Sequence, residues 1–236
     1  QRQMCIRDRT EILTCGEISL VGRMPNSSNA TFLVEVTRGE STVRGIYKPL
    51  KGERPLWDFA PGLHRREVAA YKLSEYLGFD IVPVTVLRDG PYGEGSLQWF
   101  VEHDATEHYF TILENKPECH EQLRRICAFD IVANNTDRKS GHCLLAPTNK
   151  IWAIDHGVCF AAEFKLRTVM WEFGGEELPE EIMTAIAPLA DTVPLDVASL
   201  LDDDEVSALQ ERTQWLLDGG HFPIDRSGTR YPWPLV

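Results

Sequence analysis

Two aspartates, Asp137 and Asp155, are the residues of this 236-residue chain whose type and spacing first suggest chemistry. Asp137 follows an apolar pattern with helical spacing. Asp155 follows the second of two short apolar runs, 143–146 and 151–154, which predict a β-hairpin that turns at 147–149. The hairpin would place the two carboxylates at its opposite ends. Phosphoryl transfer uses one carboxylate beside the attacking hydroxyl and another on the metal that bridges the nucleotide phosphates. Either aspartate alone is more readily explained as a helix cap or a turn residue, so the pair has to be judged with the rest of the chain.

A lysine and a glutamate upstream would complete such a site. Lys48 ends a predicted strand, and Glu67 lies in the first turns of a helix predicted over 63–77. A solvated lysine and a surface glutamate are the ordinary interpretation, but an ion pair between them would hold the lysine toward a phosphate. The polar loop that contains Ser27 and Ser28 could fold over phosphates with its N–H groups and hydroxyls, or it could be an ordinary hairpin loop.

The elements that must position these residues divide the chain into two parts. Strands are predicted before residue 102, and Pro83 places the fourth of them at a sheet edge or makes it begin after the proline. The polar stretch that follows predicts a hinge, with the lobe boundary near 102–110. The predicted strands are 11–22, 32–36, 42–48, 82–87 and 96–101, and the later helices are 180–189 and 204–217, the second capped by the aspartates at 202–204.

The expected domain organisation follows from these elements. Residues 1–9 show no useful periodicity and are expected to be a non-native or disordered leader. Residues 10–104 would form an N-terminal nucleotide-binding lobe, and residues 105–236 a C-terminal catalytic lobe.

Composition and charge limit the classes of function. The hydrophobic content of 43% is typical of a globular protein, and no apolar run approaches the ~20 residues that span a bilayer. Six cysteines form no CxxC pair, which predicts reduced thiols in a cytoplasmic protein and argues against a zinc site. The net charge of −12 is concentrated between Glu172 and Asp218, where thirteen acidic residues accompany one basic residue, Arg212. This pattern offers no polybasic surface for nucleic acid or for an anionic membrane.

The order of these features along the chain resembles that of a known superfamily. The features are the polar loop, Lys48, Glu67 and the two motifs Asn-Thr-Asp-Arg at 135–138 and Ile-Asp-His-Gly at 154–157. The superfamily in question is the kinase-like superfamily that includes phosphatidylinositol 3- and 4-kinases and HipA-like serine/threonine kinases. The likeness extends to small actinobacterial phosphatidylinositol-kinase-like proteins and covers residues 11–220. It implies an α+β, two-lobed protein-kinase-like fold, with an antiparallel sheet in the N-terminal lobe and a mostly helical C-terminal lobe.

The resemblance implies an ATP site in the N-terminal lobe. Lys48 would hold the α- and β-phosphates and Glu67 would steady the lysine, while Ser27 and Ser28 would lie over the phosphates. The residues implied in the adenine slot are Gln98, Trp99, Phe100 and Val101.

The resemblance also implies the catalytic set. Asp137 would orient the attacking hydroxyl and accept its proton, Arg138 would brace the loop, and Lys139 would stabilise charge on the transferring phosphoryl group. Asp155 would bind Mg²⁺. Asp130 lies on the apolar face of its helix and needs partners if it is buried, for which backbone N–H groups of residues 135–140 are expected.

The main departure from the family pattern is His142. It stands where these families place an asparagine as a second metal ligand, and imidazole suits Mg²⁺ less well than an amide oxygen does. One metal could suffice, Mn²⁺ could be favoured, His142 could be structural, or the protein could be a nucleotide-binding pseudokinase.

The expected function is ATP-dependent transfer of a phosphoryl group to a hydroxyl of a protein or small molecule, with AMP transfer as a further alternative. The segment at 158–175 stands at the substrate-loop position and holds only Lys165 and Arg167 as basic residues, which disfavours a phosphoinositide. The expected partners are a nucleotide and a hydroxyl-bearing acceptor, with neither nucleic acid nor a membrane span.

Overall fold

The N-terminal part of the chain is built on an antiparallel sheet of five strands. The computed structural model describes residues 6–25, 27 and 29–235. The strands are β1 (Glu17–Arg23), β2 (Phe32–Arg38), β3 (Ser41–Pro49), β4 (Thr85–Gly90) and β5 (Gly93–Trp99). They lie in the order β1-β2-β3-β5-β4, so β4 is an edge strand that begins after Pro83. Both features agree with what that proline predicts, because a proline cannot donate to a central ladder.

The first helix corrects the prediction of a strand over 11–22, and it also includes the last residues of the expected leader. Helix α1 (Ile6–Cys15) includes residues 6–9, and only the segment from Glu17 onward is extended. Ile12 and Leu13 are buried in the core. Arg88 of β4 donates to the carbonyls of Leu13 and Gly16 at 2.7 and 2.9 Å, which satisfies carbonyl groups at the end of the helix. That contact spans over 70 residues of sequence, so local periodicity could not have indicated it.

Helix α2 (Leu63–Tyr76) follows the loop after β3 and agrees with the predicted helix at 63–77. Gly78 ends it with a φ of +65°, a left-handed conformation that favours glycine. The helix buries one face in the core, which includes Leu73 and Val68. The same packing buries the polar side chain of Glu67, which is 2% exposed.

The C-terminal part is mainly helical and carries one small hairpin. The hairpin consists of β6 (Cys143–Leu145) and β7 (Ile151–Ala153), and Asn149 in its turn has a φ of +59°. Asp202 caps the last helix in a capping box with Glu205, as the run of aspartates predicts. The helices are α3 (Tyr109–Asn115), α4 (His120–Val132), α5 (Glu180–Ile186), α6 (Pro188–Asp191), α7 (Leu195–Ala198) and α8 (Asp203–Gly219).

This arrangement confirms the predicted α+β fold, with a sheet in the N-terminal lobe and helices in the C-terminal lobe. Within the part of the chain that the structure describes, no helix combines the length and apolarity needed to cross a membrane. The five cysteines among those residues, at 15, 119, 127, 143 and 159, are free thiols.

Candidate active site

A lysine at the end of β3 links the two lobes. The Lys48 ammonium donates to the Glu67 carboxylate of α2 and, at 2.8 Å, to Oδ1 of Asp155, which follows β7. The second oxygen of Glu67 accepts the backbone N–H of His156 at 3.1 Å. Glu67 therefore holds both the lysine and the backbone next to Asp155. The structure thus brings together three residues that are separated by up to 107 positions in sequence.

The charges of this cluster stabilise one another. Lys48 lowers the pKa of Asp155 well below its usual range, against the opposing effect of burial. Burial disfavours the Lys48 ammonium, but Asp155 and Glu67 outweigh that penalty, and the lysine pKa is raised. Asp155 is thus a carboxylate and Lys48 an ammonium at any physiological pH. The Asp155 side chain remains 48% exposed, so one side of it faces solvent.

A buried arginine supports the loop that carries Asp137. Arg138 is fully buried, and its guanidinium donates to both carboxylate oxygens of Asp130, at 2.7 and 2.9 Å. It also donates to the carbonyl of Ile154 at 2.8 Å and approaches that of His142 at 3.3 Å. Its remaining donor meets Nε2 of His156 at 2.8 Å. One side chain therefore ties α4 to both ends of the hairpin.

The partners of Asp130 correct one prediction. The carboxylate accepts from side chains, Arg138 and the Asn135 amide at 2.9 Å, and not from backbone N–H groups of the 135–140 loop. Asn135 in turn accepts the backbone N–H of Asp137 at 3.0 Å. An asparagine two residues before the functional residue is a common turn pattern, and that signal could have identified Asn135 from sequence.

Asp137 lies in the loop after α4, beside Lys139. The Lys139 ammonium is 3.2 Å from Oδ2 of Asp137, and both side chains are partly exposed. Burial raises the pKa of Asp137, although Lys139 opposes the shift, and Asp155 is near enough to add to it. A carboxyl group with a raised pKa accepts a proton more readily than an ordinary aspartate does.

His142 lies against Asp155 as a neutral imidazole. Burial lowers its pKa to about 4. Its Nδ1 accepts the backbone N–H of Lys139 at 3.4 Å, which leaves the ring proton on Nε2. Nε2 is 3.4 Å from Oδ2 of Asp155. In this tautomer the ring presents a donor to the aspartate and no lone pair to a metal.

His156, in the motif at 154–157, is a second neutral imidazole next to the site. It is fully buried, packs edge-on against Phe129, and burial lowers its pKa well below the ordinary value. Because Nε2 accepts from Arg138, Nδ1 carries the proton, and it has no partner within the described structure. His156 therefore packs in the core against Phe129 and also ties the chain directly after Asp155 to Arg138.

The segment after Asp155 folds back onto the 135–138 loop. Thr168 forms an isolated bridge with Arg138, and the backbone N–H of Arg138 donates to Arg167 at 3.0 Å. Asn135 accepts the N–H of Arg167 at 2.9 Å. The loop that carries Asp137 and the segment that follows Asp155 therefore form one hydrogen-bonded unit.

The predicted adenine slot is only partly assembled by side chains. Lys48 pairs with Ser96 in the β3–β5 ladder, and residues on alternate positions share a face, so Gln98 projects to the same side as Lys48. The Gln98 amide donates to Thr85 at 2.9 Å. Trp99 projects to the other face, where Arg9 lies 4.6 Å from its ring.

The remaining predicted nucleotide residues are less well placed by the structure. Phe100 packs under Arg44 at 4.4 Å, and Val101 is buried just beyond β5. Ser27 is half-buried in the loop between β1 and β2, and Ser28 lies outside the described residues.

The donors near Asp155 set the kind of metal site that fits. No cluster of three or more His, Cys, Asp or Glu side chains that could hold a metal occurs among residues 6–25, 27 and 29–235. Asp155 supplies one ionised, half-exposed carboxylate. Mg²⁺ is typically held by one or two carboxylates, with substrate phosphates and water completing its coordination. The residues therefore fit a magnesium ion bound together with a nucleotide.

Comparisons with known proteins agree on a family and a fold. The model of the family described as phosphatidylinositol 3- and 4-kinase matches residues 66–195. Protein Rv2133c of Mycobacterium tuberculosis is 36% identical, over 96% of this chain and 95% of that protein. Phosphatidylinositol 4-kinase gamma 2 of Arabidopsis thaliana is 24% identical over 82% of this chain, which spans 42% of that protein.

Two solved structures resemble the fold. The Helicobacter pylori proinflammatory kinase CtkA has a TM-score of 0.54 with 11% identity, over 89% of this chain and 94% of that one. The golgi casein kinase has a TM-score of 0.52 with 14% identity, over 95% of this chain and 80% of that one. At these identities the likeness concerns the fold alone.

Proposed function

The chain belongs to the phosphatidylinositol 3- and 4-kinase family, and from this premise we propose that it is an ATP-dependent phosphotransferase. It would transfer the γ-phosphoryl group of ATP to a hydroxyl of a protein or small molecule. The observation that carries the proposal is the junction of Lys48, Glu67 and Asp155, with Asp137 close enough to Asp155 to sense its charge.

The residues of the N-terminal lobe would bind and orient the nucleotide. Lys48 would donate to the α- and β-phosphates, and Glu67 would keep the lysine in place while phosphates compete with Asp155 for it. Gln98 shares the face of Lys48, and the backbone of residues 99–101 would line the adenine slot.

The residues of the C-terminal lobe would act on the acceptor. Asp137 would hold the attacking hydroxyl and take its proton, for which its raised pKa is suited. Lys139 would stabilise negative charge on the transferring group. Arg138 would hold the loop that carries Asp137 in place through its buried contact with Asp130. Asp155 would hold a divalent cation, and a bound Mg²⁺ would neutralise charge on the phosphates.

The charge distribution supports a protein or small-molecule acceptor over a phosphoinositide. A headgroup on an anionic membrane needs a basic face. Between Glu172 and Asp218 this chain carries thirteen acidic residues and one basic residue.

One observation favours a second candidate, a nucleotide-binding pseudokinase. His142 stands at the expected second metal position, and its Nε2 lies 3.4 Å from Oδ2 of Asp155. If two metals are required, the site lacks one of its ligands.

Calorimetric titration of ATP with Mg²⁺ and separately with Mn²⁺ tests the proposal. Asp155→Ala should remove metal-dependent binding, whereas Asp137→Asn should keep binding and lower turnover by about 10²–10⁴-fold. Asp196→Ala, an exposed aspartate of α7, is the matched control and should behave as wild type.

The label position separates the alternatives. Transfer of label from γ-labelled ATP supports phosphoryl transfer, and transfer from α-labelled ATP supports AMP transfer. The pseudokinase candidate is supported if the wild type binds ATP without turnover and His142→Asn restores turnover. Unchanged turnover in Asp137→Asn contradicts the assignment.

A further inference from the structure

A groove of about 650 Å³ lies between α8 and the chain that follows it. This groove, called the arginine groove below, is distinct from the junction at Lys48. Its lining combines aromatic rings with guanidinium groups. The residues used below are Phe164, Trp171, Arg212, Trp215, Arg226 and Arg230.

The charges of the arginine groove oppose those of the surrounding lobe. From residue 172 to residue 235 the sequence contains three basic residues, Arg212, Arg226 and Arg230, and fourteen acidic residues, the thirteen up to Asp218 and Asp225. All three arginines line this one groove. A concentrated positive site within an acidic lobe indicates an anionic ligand.

One wall of the groove is aromatic. The guanidinium of Arg230 lies 5.2 Å from the ring centre of Phe164, whose ring is 5.9 Å from that of Trp215. Phe164 and Trp215 are 37% and 51% exposed, so this wall presents aromatic surface to a ligand. A ligand with an apolar group beside its negative charges fits this wall.

Arg212 forms the deepest basic group of the groove. It is 6% exposed, and it donates to the carbonyls of Val132 and Ala161 at 3.0 and 3.1 Å. Its Nη2 has no partner within the described structure. Burial lowers the pKa of Arg212 to about 10, so it stays charged at neutral pH.

Two acidic residues of the lining, Glu211 and Asp225, offset part of this charge. Asp225 already accepts from the backbone N–H groups of Ser227 and Arg230, at 2.9 and 3.0 Å, and from the Ser227 hydroxyl. Glu211 is exposed to solvent. The three arginines outnumber the two carboxylates, so the formal charge of the lining stays positive.

The groove adjoins the candidate active site through a shared carbonyl. Ala161 accepts from Arg212 and also from the amide of Asn134 at 2.8 Å. Asn134 precedes Asp137 by three residues, and Phe164 belongs to the segment that follows Asp155. A ligand in the groove would thus lie next to the two loops that form the acceptor side of the site.

We propose that the arginine groove binds an acidic peptide segment of a protein acceptor, with carboxylates on Arg226 and Arg230 and an apolar side chain against Trp215. The inference rests on the proposed function, because it names the acceptor class of the same site. A protein acceptor explains why charge and apolar surface occur together, since one peptide segment carries both.

Fluorescence anisotropy without nucleotide tests the groove separately from catalysis. The probe is a fluorescein-labelled peptide with glutamates and one phenylalanine around a serine, and its matched control replaces the glutamates with lysines. Wild type should bind the acidic peptide at least about tenfold more tightly than the basic one, and more weakly as salt is added.

Two double variants with equal charge change locate the binding. Arg226→Glu/Arg230→Glu should weaken binding of the acidic peptide by about tenfold or more, because each attraction becomes a repulsion. Arg23→Glu/Arg65→Glu changes exposed arginines of the N-terminal lobe and should stay within about twofold of wild type. Melting curves establish that both variants fold.

Several results would overturn the proposal. They are equal affinity for the two peptides, no binding of either, or equal loss in both double variants. Binding of phosphatidylserine vesicles but not of the acidic peptide would assign the groove to a membrane surface instead. ATP binding measured by calorimetry should be the same in wild type and in both double variants. A failure of the groove proposal would therefore leave the nucleotide proposal intact.

Discussion

Removing Arg138 should destabilise the protein far more than removing an exposed arginine. Arg138→Met deletes both hydrogen bonds to Asp130, at 2.7 and 2.9 Å, and leaves that carboxylate with Asn135 as its remaining side-chain partner. The two ionised side chains are 0% and 1% exposed. Leaving one buried charge without its partner costs about 3–5 kcal/mol. For a chain of this size that loss corresponds to a melting temperature lower by about 6–20 °C.

A double-mutant cycle separates the ion pair from the rest of the packing. Asp130→Asn alone also leaves a buried charge and should cost about 3 kcal/mol or more. The double variant Asp130→Asn/Arg138→Met leaves neither charge, so its loss should be smaller than the sum of the single losses by about 2 kcal/mol or more. Urea denaturation followed by tryptophan fluorescence measures all four proteins.

The control is the same substitution at an exposed ion pair. Arg125 pairs with Glu121 one turn earlier in α4, where the side chains are 31% and 67% exposed. Arg125→Met should cost about 0.5 kcal/mol or less. Equal losses in the two arginine variants, or additive losses in the cycle, would refute the argument that the buried pair supports the Asp137 loop.

Two further predictions concern the N-terminal lobe. His64 is buried between Glu53 and Glu94, both at 2.9 Å; burial lowers its pKa, but the carboxylates outweigh burial and raise it above 6.5. The stabilisation that His64 provides should therefore be complete below pH 6.5 and lost as the pH rises through the folded-state pKa of His64. A His64→Asn variant whose urea midpoint has the wild-type pH profile would contradict this. In Gly95→Ala the new Cβ would lie 2.5 Å from the Lys48 carbonyl, which should cost about 1–3 kcal/mol and weaken ATP binding. Gly22→Ala meets nothing within 4 Å and should do neither.

The elements could be predicted from sequence where periodicity was strong. The hairpin at 143–153 and helix α8 follow directly from apolar runs, turn residues and the capping aspartates. Residues 11–15 could not be assigned correctly, because their short apolar pattern fits a strand or a helix equally well. Their state is fixed by packing on the sheet and by hydrogen bonds from Arg88.

The candidate site could likewise be predicted from sequence only in part. Chemistry-bearing residue types and their order suggested Lys48, Asp137 and Asp155, and the structure places the first and third in contact. Burial, however, is a property of the whole fold. Sequence could not indicate that Glu67 is buried or that Asp130 takes side-chain donors, since both depend on elements distant along the chain.

The hydrogen bonds around Asp155 have a mechanical consequence. Arg138, the hairpin and the 167–169 segment form one buried network inside the C-terminal lobe, whereas Lys48 and Glu67 belong to the N-terminal lobe. A movement of the lobes would therefore change the contact of Lys48 with Asp155 and leave the spacing of Asp137 and Asp155 almost unchanged. Under the proposed function, nucleotide binding would depend on the first distance and acceptor geometry on the second. Opening the cleft would release a nucleotide without dismantling the groups that hold the acceptor.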